Sequence, residues 1–157
     1  MNEFTTVLPQ KVPALLRPRA VWKPPHLGMF KINFDGAVFK TKNKSGVGVV
    51  IRDHRGLVIA SLAQQFPQAF QVLEIEAIAA GRALKFGIEV GLNEAVLNGD
   101  CQLIMKALEE GGNTIASVKP LIIDALGLTS SFNKLLYSHS KRDGNKLAHS
   151  LARHFIC

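Results

Sequence analysis

Phe30, Ile32 and Phe34 alternate with Lys31, Asn33 and Asp35, a period of two that predicts a β-strand with Asp35 on the side away from the phenylalanines. The polar stretch Lys40 to Ser45 then reads as a turn. Gly46 to Arg52 and Leu57 to Leu62 are apolar and β-branched, with Asp53-His54-Arg55-Gly56 between them, so a three-strand antiparallel meander is expected. From about Gln71 the period lengthens: Val72, Ile75, Ala79, Ala83 and Phe86 recur at helical spacing, and Gly87 and Gly91 weaken the end of that helix. A short strand over Glu94 to Asn98 precedes a helix from Cys101 to Glu109 that stops at Gly111-Gly112. A further helix is expected from Val118 to Ser130, with Pro120 tolerated in its first turn. Leu135 to Ser140 reads as a last strand, and Asp143 as the cap of a final helix with Leu147, Ala148, Leu151, Ala152 and Phe155 on its apolar face. Three meander strands followed by strands interleaved with helices predict an α/β fold, a mixed sheet flanked by helices on both faces.

Residues 1–21 carry Pro9, Pro13 and Pro18 among Lys11, Arg17 and Arg19 without a sustained period, so they read as a linker or tail ahead of a domain spanning 22–157. A chain of 157 residues, 47% hydrophobic, suits one domain with an adequate core. Apolar runs such as Val47 to Ile51 are too short for a bilayer, and MNEFTTVLPQ lacks the charged and apolar regions of a secretory signal. Cys101 and Cys157 have neither metal-type spacing nor a disulfide framework. The expectation is an intracellular protein, nuclear or cytoplasmic, monomeric and without a membrane partner. A formal charge of +7 favours polyanions, although solvated lysines give the same number.

Three carboxylates stand where the pattern does not call for them. Asp35 lies in a strand, where Asp is disfavoured, and small Gly36 and Ala37 follow it; the plain alternative is an Asp that starts a turn. Glu76 lies about 20° from Ala83 and about 40° from Val72 on a helical wheel, on the apolar stripe, whereas Glu74 points away. A helix salt bridge is the alternative for Glu76, but Ala80 occupies its i+4 position. Asp100 ends one strand and opens the next helix, so it reads equally as a helix cap. Converging on one point, the three would form an oxygen-rich site suited to hard divalent cations. A pair of such ions can drive phosphodiester cleavage, which a basic domain would direct at nucleic acid.

With these parts in order, the chain resembles the ribonuclease H domains, in particular the plant ribonuclease H-like domains related to retroelement reverse transcriptases. The resemblance runs from about Trp22 to Phe155 through WKPPHLGMFKINFDGA, GVGVVIRDHRG, EIEAIAAGRAL, VLNGDCQLIMKAL and HSKRDGNKLAHSLAR. It implies a five-stranded mixed sheet with flanking helices and divalent-metal-dependent hydrolysis of RNA in RNA–DNA hybrids. The family's first three catalytic carboxylates match Asp35, Glu76 and Asp100. Its fourth acidic position is taken by His149, as it often is in plant relatives. Imidazole suits transition metals better than Mg²⁺, which implies one tightly held ion and a weak second, or a preference for Mn²⁺. His149 could also be an ordinary surface residue of its helix, since Asn145 and Arg153 flank it.

Two further departures bear on substrate. Where classical bacterial and animal members carry polar residues that read the RNA 2′-hydroxyl, this chain has Val72 and Leu73. The extra basic protrusion of some bacterial members also has no counterpart in the sequence. Nucleic-acid contacts then fall to Lys40, Lys42 and Lys44 in the hairpin turn and to His139, Lys141, Arg142 and Asn145 near the last helix, although a solvated basic turn explains the three lysines equally well. The first functional reading is a magnesium- or manganese-dependent hydrolase, an endonuclease that cuts the RNA strand of RNA–DNA hybrids, in which Asp35 bridges the metals, Glu76 and Asp100 complete the ligand set, and His149 occupies the fourth catalytic position. The second is a nucleic-acid-binding remnant of a retrotransposon polyprotein, weak or inactive in cleavage. The third is a protein-interaction domain.

Overall fold

The computed structural model describes residues 3–6, 28–113 and 116–154, with the backbone alone for 3–6, 142 and 143. The elements are β1 (Glu3–Thr6), β2 (Phe30–Phe39), β3 (Lys44–Arg52), β4 (Val58–Phe66), α1 (Val72–Val90), β5 (Glu94–Gly99), α2 (Gln102–Glu109), α3 (Lys119–Leu128), β6 (Lys134–His139) and α4 (Lys146–Ala152). The strands form one mixed sheet in the order β1-β4-β3-β2-β5-β6. Strands β2, β3 and β4 are the expected antiparallel meander, and β5 and β6 join in parallel beside β2. The hairpin between β3 and β4 is fixed by Asp53, whose carboxylate accepts hydrogen bonds from the amides of Arg55 (2.8 Å) and Leu57 (3.0 Å).

The strand β1 is an addition to that plan. It pairs antiparallel with β4, inside the stretch whose prolines read as a linker. Its four residues precede the first of those prolines, and an uncovered β4 edge would leave backbone groups unpaired. Residues 7–27, which include Trp22, and 155–157 lie outside the described residues, as does the side chain of Asp143. The final helix starts at Lys146, later than expected, because Arg142–Asn145 forms a 3-10 turn and Asn145 takes the N-cap position.

Two layers cover the sheet. Ile32, Phe34, Val47, Val49 and Ile51 pack on Ile75, Ala79, Ala83 and Leu84 of α1 and on Ile104 and Ile122 of α2 and α3. On the opposite face, Val50 and Val58 meet Ala148, with Leu147 and Leu151 beside it. Being central, β2 is buried on both sides, so Asn33 and Asp35 are inside although they alternate with the phenylalanines. The helix stripe holds except at its start: Val72, expected on the apolar face, is 65% exposed as the first residue of α1.

Glycines set how closely the helices approach. A Cβ on Gly36 would lie 3.0 Å from the Ile75 backbone, and one on Gly48 would lie 2.1 Å from the Ala148 carbonyl oxygen. Both helices therefore rest on bare strand backbone. Gly48→Ala is expected to cost about 1–3 kcal/mol through overpacking and to lift α4, measurable as a lower midpoint in urea melts.

Candidate metal centre

The site follows from where β5 stops. Its parallel pairing with β2 ends at Phe34 opposite Gly99, whereas β2 continues to Phe39. Close contact permits this end: a Cβ on Gly99 would lie 2.6 Å from the Phe34 ring. Beyond the last pair a notch opens beside β2, and the Gly36 amide donates to Glu76 Oε1 at 2.8 Å instead of to a strand. Glu76 reaches the notch from α1, where the absent Gly36 side chain admits the helix.

Strand register brings in the two aspartates. Asn33 is paired with Asn98, and side chains two positions apart share a face, so Asp35 and Asp100 emerge side by side. One oxygen from each of Asp35, Glu76 and Asp100 lies within 4.8 Å of the others. Asp100 is not the cap of α2, since Cys101 holds that position. The reading of Asp35 as a turn residue also fails, because β2 runs through it.

Concentrating these charges has a measurable consequence. Burial, and then repulsion and hydrogen bonding from Asp35, push the Glu76 carboxyl up to about 9, against the pull of the Gly36 amide and with a further push from Asp100. Glu76 is 5% exposed, and its Oε2 is buried without a hydrogen-bond partner. A buried carboxylate oxygen in that state needs a proton or a cation. The oxygen-only donor set and the surplus negative charge fit a hard divalent ion, and Asp35, Glu76 and Asp100 are the residues that could hold it.

The remaining candidates divide. His149 joins the cluster from α4, its Nδ1 2.6 Å from Asp35 Oδ2, so it is not merely a solvated helix residue. Lys40 and Lys42 are exposed on the turn after β2, and Lys44 is half-buried at the start of β3. His139 is exposed at the end of β6 with Nε2 3.2 Å from the Asp100 carbonyl oxygen, and Lys141 is exposed just after it. The side chain of Arg142 lies outside the described residues. Asn145, expected at a nucleic-acid surface, is instead 2% exposed. Its Nδ2 donates to the Phe34 carbonyl (2.7 Å) and its Oδ1 accepts from Asn33 (3.1 Å), so it ties α4 to the strand that carries Asp35.

Sequence reasoning missed the rest of that tie. Asn33 donates to Asn98 (2.7 Å), Asn98 to the Ser138 hydroxyl (2.9 Å), and the Ser140 hydroxyl donates to Asn98 (2.7 Å). A signal was present, since Asn33 and Asn98 each stand two residues before a site aspartate, in strands where Asn is disfavoured. Arg153 was also missed; it lies 2.8 Å from His149 Nδ1 and 3.8 Å from Asp35 Oδ2.

Comparison with known proteins places this geometry. A family model described as reverse transcriptase-like matches residues 33–155, from β2 through the last described helix. The chain belongs to the reverse transcriptase-like family. Solved structures similar to this reverse transcriptase-like chain include RNase H1 from the archaeon Halobacterium salinarum, at TM-score 0.75 and 24% identity over 80% of this chain and 96% of that one. The N-terminal RNase H domain of a Mycobacterium tuberculosis protein gives TM-score 0.72 and 22% identity, over 80% and 91%. An RNase H1 isolated from compost, in complex with an RNA/DNA hybrid, gives 0.71 and 20%, over 80% and 94%. These likenesses establish the ribonuclease H-like fold, its five strands β4-β3-β2-β5-β6 here extended by β1. No curated protein matches the chain, and among its described residues no helix is long and apolar enough to cross a membrane.

Proposed function

We propose that this chain is a divalent-metal-dependent endoribonuclease that cuts the RNA strand of RNA–DNA hybrids, with Mg²⁺ or Mn²⁺ held by Asp35, Glu76 and Asp100. The observation that carries this reading is the gathering of three carboxylate oxygens within 4.8 Å, one of the side chains having an unpartnered buried oxygen, in a ribonuclease H-like fold. When bound, such an ion supplies an acidic water and stabilises charge on the leaving oxygen. The chain supplies positioning. The Gly36 amide orients Glu76, Asn145 fixes the strand beneath Asp35 through the Phe34 carbonyl, and His149 pins Asp35 Oδ2. No residue here needs to form a covalent intermediate. Exposed Lys40, Lys42, Lys141 and His139 give the phosphate contacts that make binding salt-dependent.

A labelled hybrid incubated with Mg²⁺, Mn²⁺ or EDTA tests the reading: cleavage with either ion and none with EDTA is expected. Persistence in EDTA would sink the metal mechanism. His149 supports the second reading, a binding module weak in cleavage, because an imidazole stands on Asp35 at the position that matches the fourth acid of classical ribonuclease H domains. His149→Asp is expected to raise Mg²⁺-supported cleavage about tenfold, by analogy with changes around metal ligands. Equal wild-type rates with Mg²⁺ and Mn²⁺ and no gain in the variant would show that His149 does not limit the enzyme.

A further inference from the structure

We propose that the Arg153 guanidinium is a built-in second cation of the carboxylate centre, so that the free protein holds one divalent ion rather than two. This rests on the reading of Asp35, Glu76 and Asp100 as metal ligands. Arg153 follows α4 directly, and its placement is defined from several sides. Nη1 lies 2.8 Å from His149 Nδ1, 3.3 Å from the His149 carbonyl oxygen and 3.8 Å from Asp35 Oδ2. The guanidinium carbon also sits 5.9 Å from the centre of the Phe39 ring, a cation–π contact that holds it over β2.

Hydrogen-bond chemistry on the Nδ1 side of His149 agrees with this placement. A guanidinium only donates. If the imidazole hydrogen is on Nδ1, that nitrogen donates to Asp35 Oδ2; if it is on Nε2, the Nδ1 lone pair accepts from Arg153. In neither arrangement has Nδ1 a lone pair left for a metal. The Nδ1 side of His149, which faces Asp35, is therefore taken by Asp35 and Arg153 and offers a metal no lone pair.

Charge agrees. The three carboxylates of the cluster are balanced by one divalent ion and one guanidinium, whereas a second divalent ion would leave two surplus positive charges in the absence of substrate. Arg153 acts through Asp35 and His149, so it is a positioning residue.

Calorimetric titration of the nucleic-acid-free protein with MnCl₂, repeated with MgCl₂, tests the proposal. The wild type should take up one ion. Arg153→Gln should reveal a second, bound about tenfold more tightly than any second ion in the wild type, the order expected for losing a like charge a few ångströms away. Arg153→Lys, which retains the charge, should remain at one. Two ions in the wild type, or a stoichiometry unmoved by Arg153→Gln, would overturn the proposal and leave the metal centre standing. No ion in any of the three would remove the metal centre and this proposal with it. One-ion uptake alongside absent hybrid cleavage would count against the functional reading alone and leave the role of Arg153 supported.

Discussion

Asp35→Asn is expected to lower hybrid cleavage by about a thousandfold or more, the scale of losing a group that organises charge at a reacting phosphate, while hybrid binding changes little. Asp35 is the meeting point of the site. It lies within the carboxylate cluster, its Oδ2 is 2.6 Å from His149 Nδ1, and its charge contributes to holding a proton on Glu76. Asparagine keeps the shape and removes the charge, so loss of cleavage with retained binding separates chemistry from folding. Gel cleavage and filter binding on the same hybrid measure the two quantities. Full cleavage by the variant would remove Asp35 from the mechanism.

The second large effect is a reversal of pH dependence at Glu76. Its carboxyl titrates near 9 in the folded protein, against 4.5 as the ordinary value. Between these values the folded state keeps a proton that the unfolded state has released. The stabilisation is complete below about 4.5 and is lost as pH rises towards 9, at no more than about 1.4 kcal/mol per pH unit. Metal-free wild type should therefore melt at progressively lower temperature from about pH 5 to about pH 9. Glu76→Gln, neutral throughout, should show a shallower decline. Saturating Mn²⁺ should stabilise the wild type most at the alkaline end, where the ion no longer competes with the proton, and should do little for the variant. Parallel melting profiles for the two proteins without metal would contradict the buried, proton-holding role of Glu76.

The architecture was legible because period-two and helical patterns coincided with turn residues at each boundary. Phe30 to Asp35 announced a strand, and Ile75, Ala79 and Ala83 a helix against it. Glu76 stood out for the same reason, as a charge on an apolar stripe. What was not legible depends on contacts between distant positions. Asn145 looked like a surface residue among lysines, and only packing against Phe34 and Asn33 shows it buried. Asp100 looked like a cap because local sequence cannot show that the next helix begins two residues later. Val72 fitted the helical period but is exposed as the first residue of α1, which periodicity does not record. The strand β1 was obscured by prolines that follow it rather than interrupt it.

The tie between Asp35 and His149 spans 114 positions, and this sets an order of assembly. During synthesis Asp35, Glu76 and Asp100 all emerge before α4 does, by on the order of several seconds at ribosomal rates. In that interval the carboxylates lack the helix that brings Asn145, His149 and Arg153 onto β2. The strands through β5 are thus made well ahead of the helix that braces the notch, whereas β6 and α4 follow one another closely.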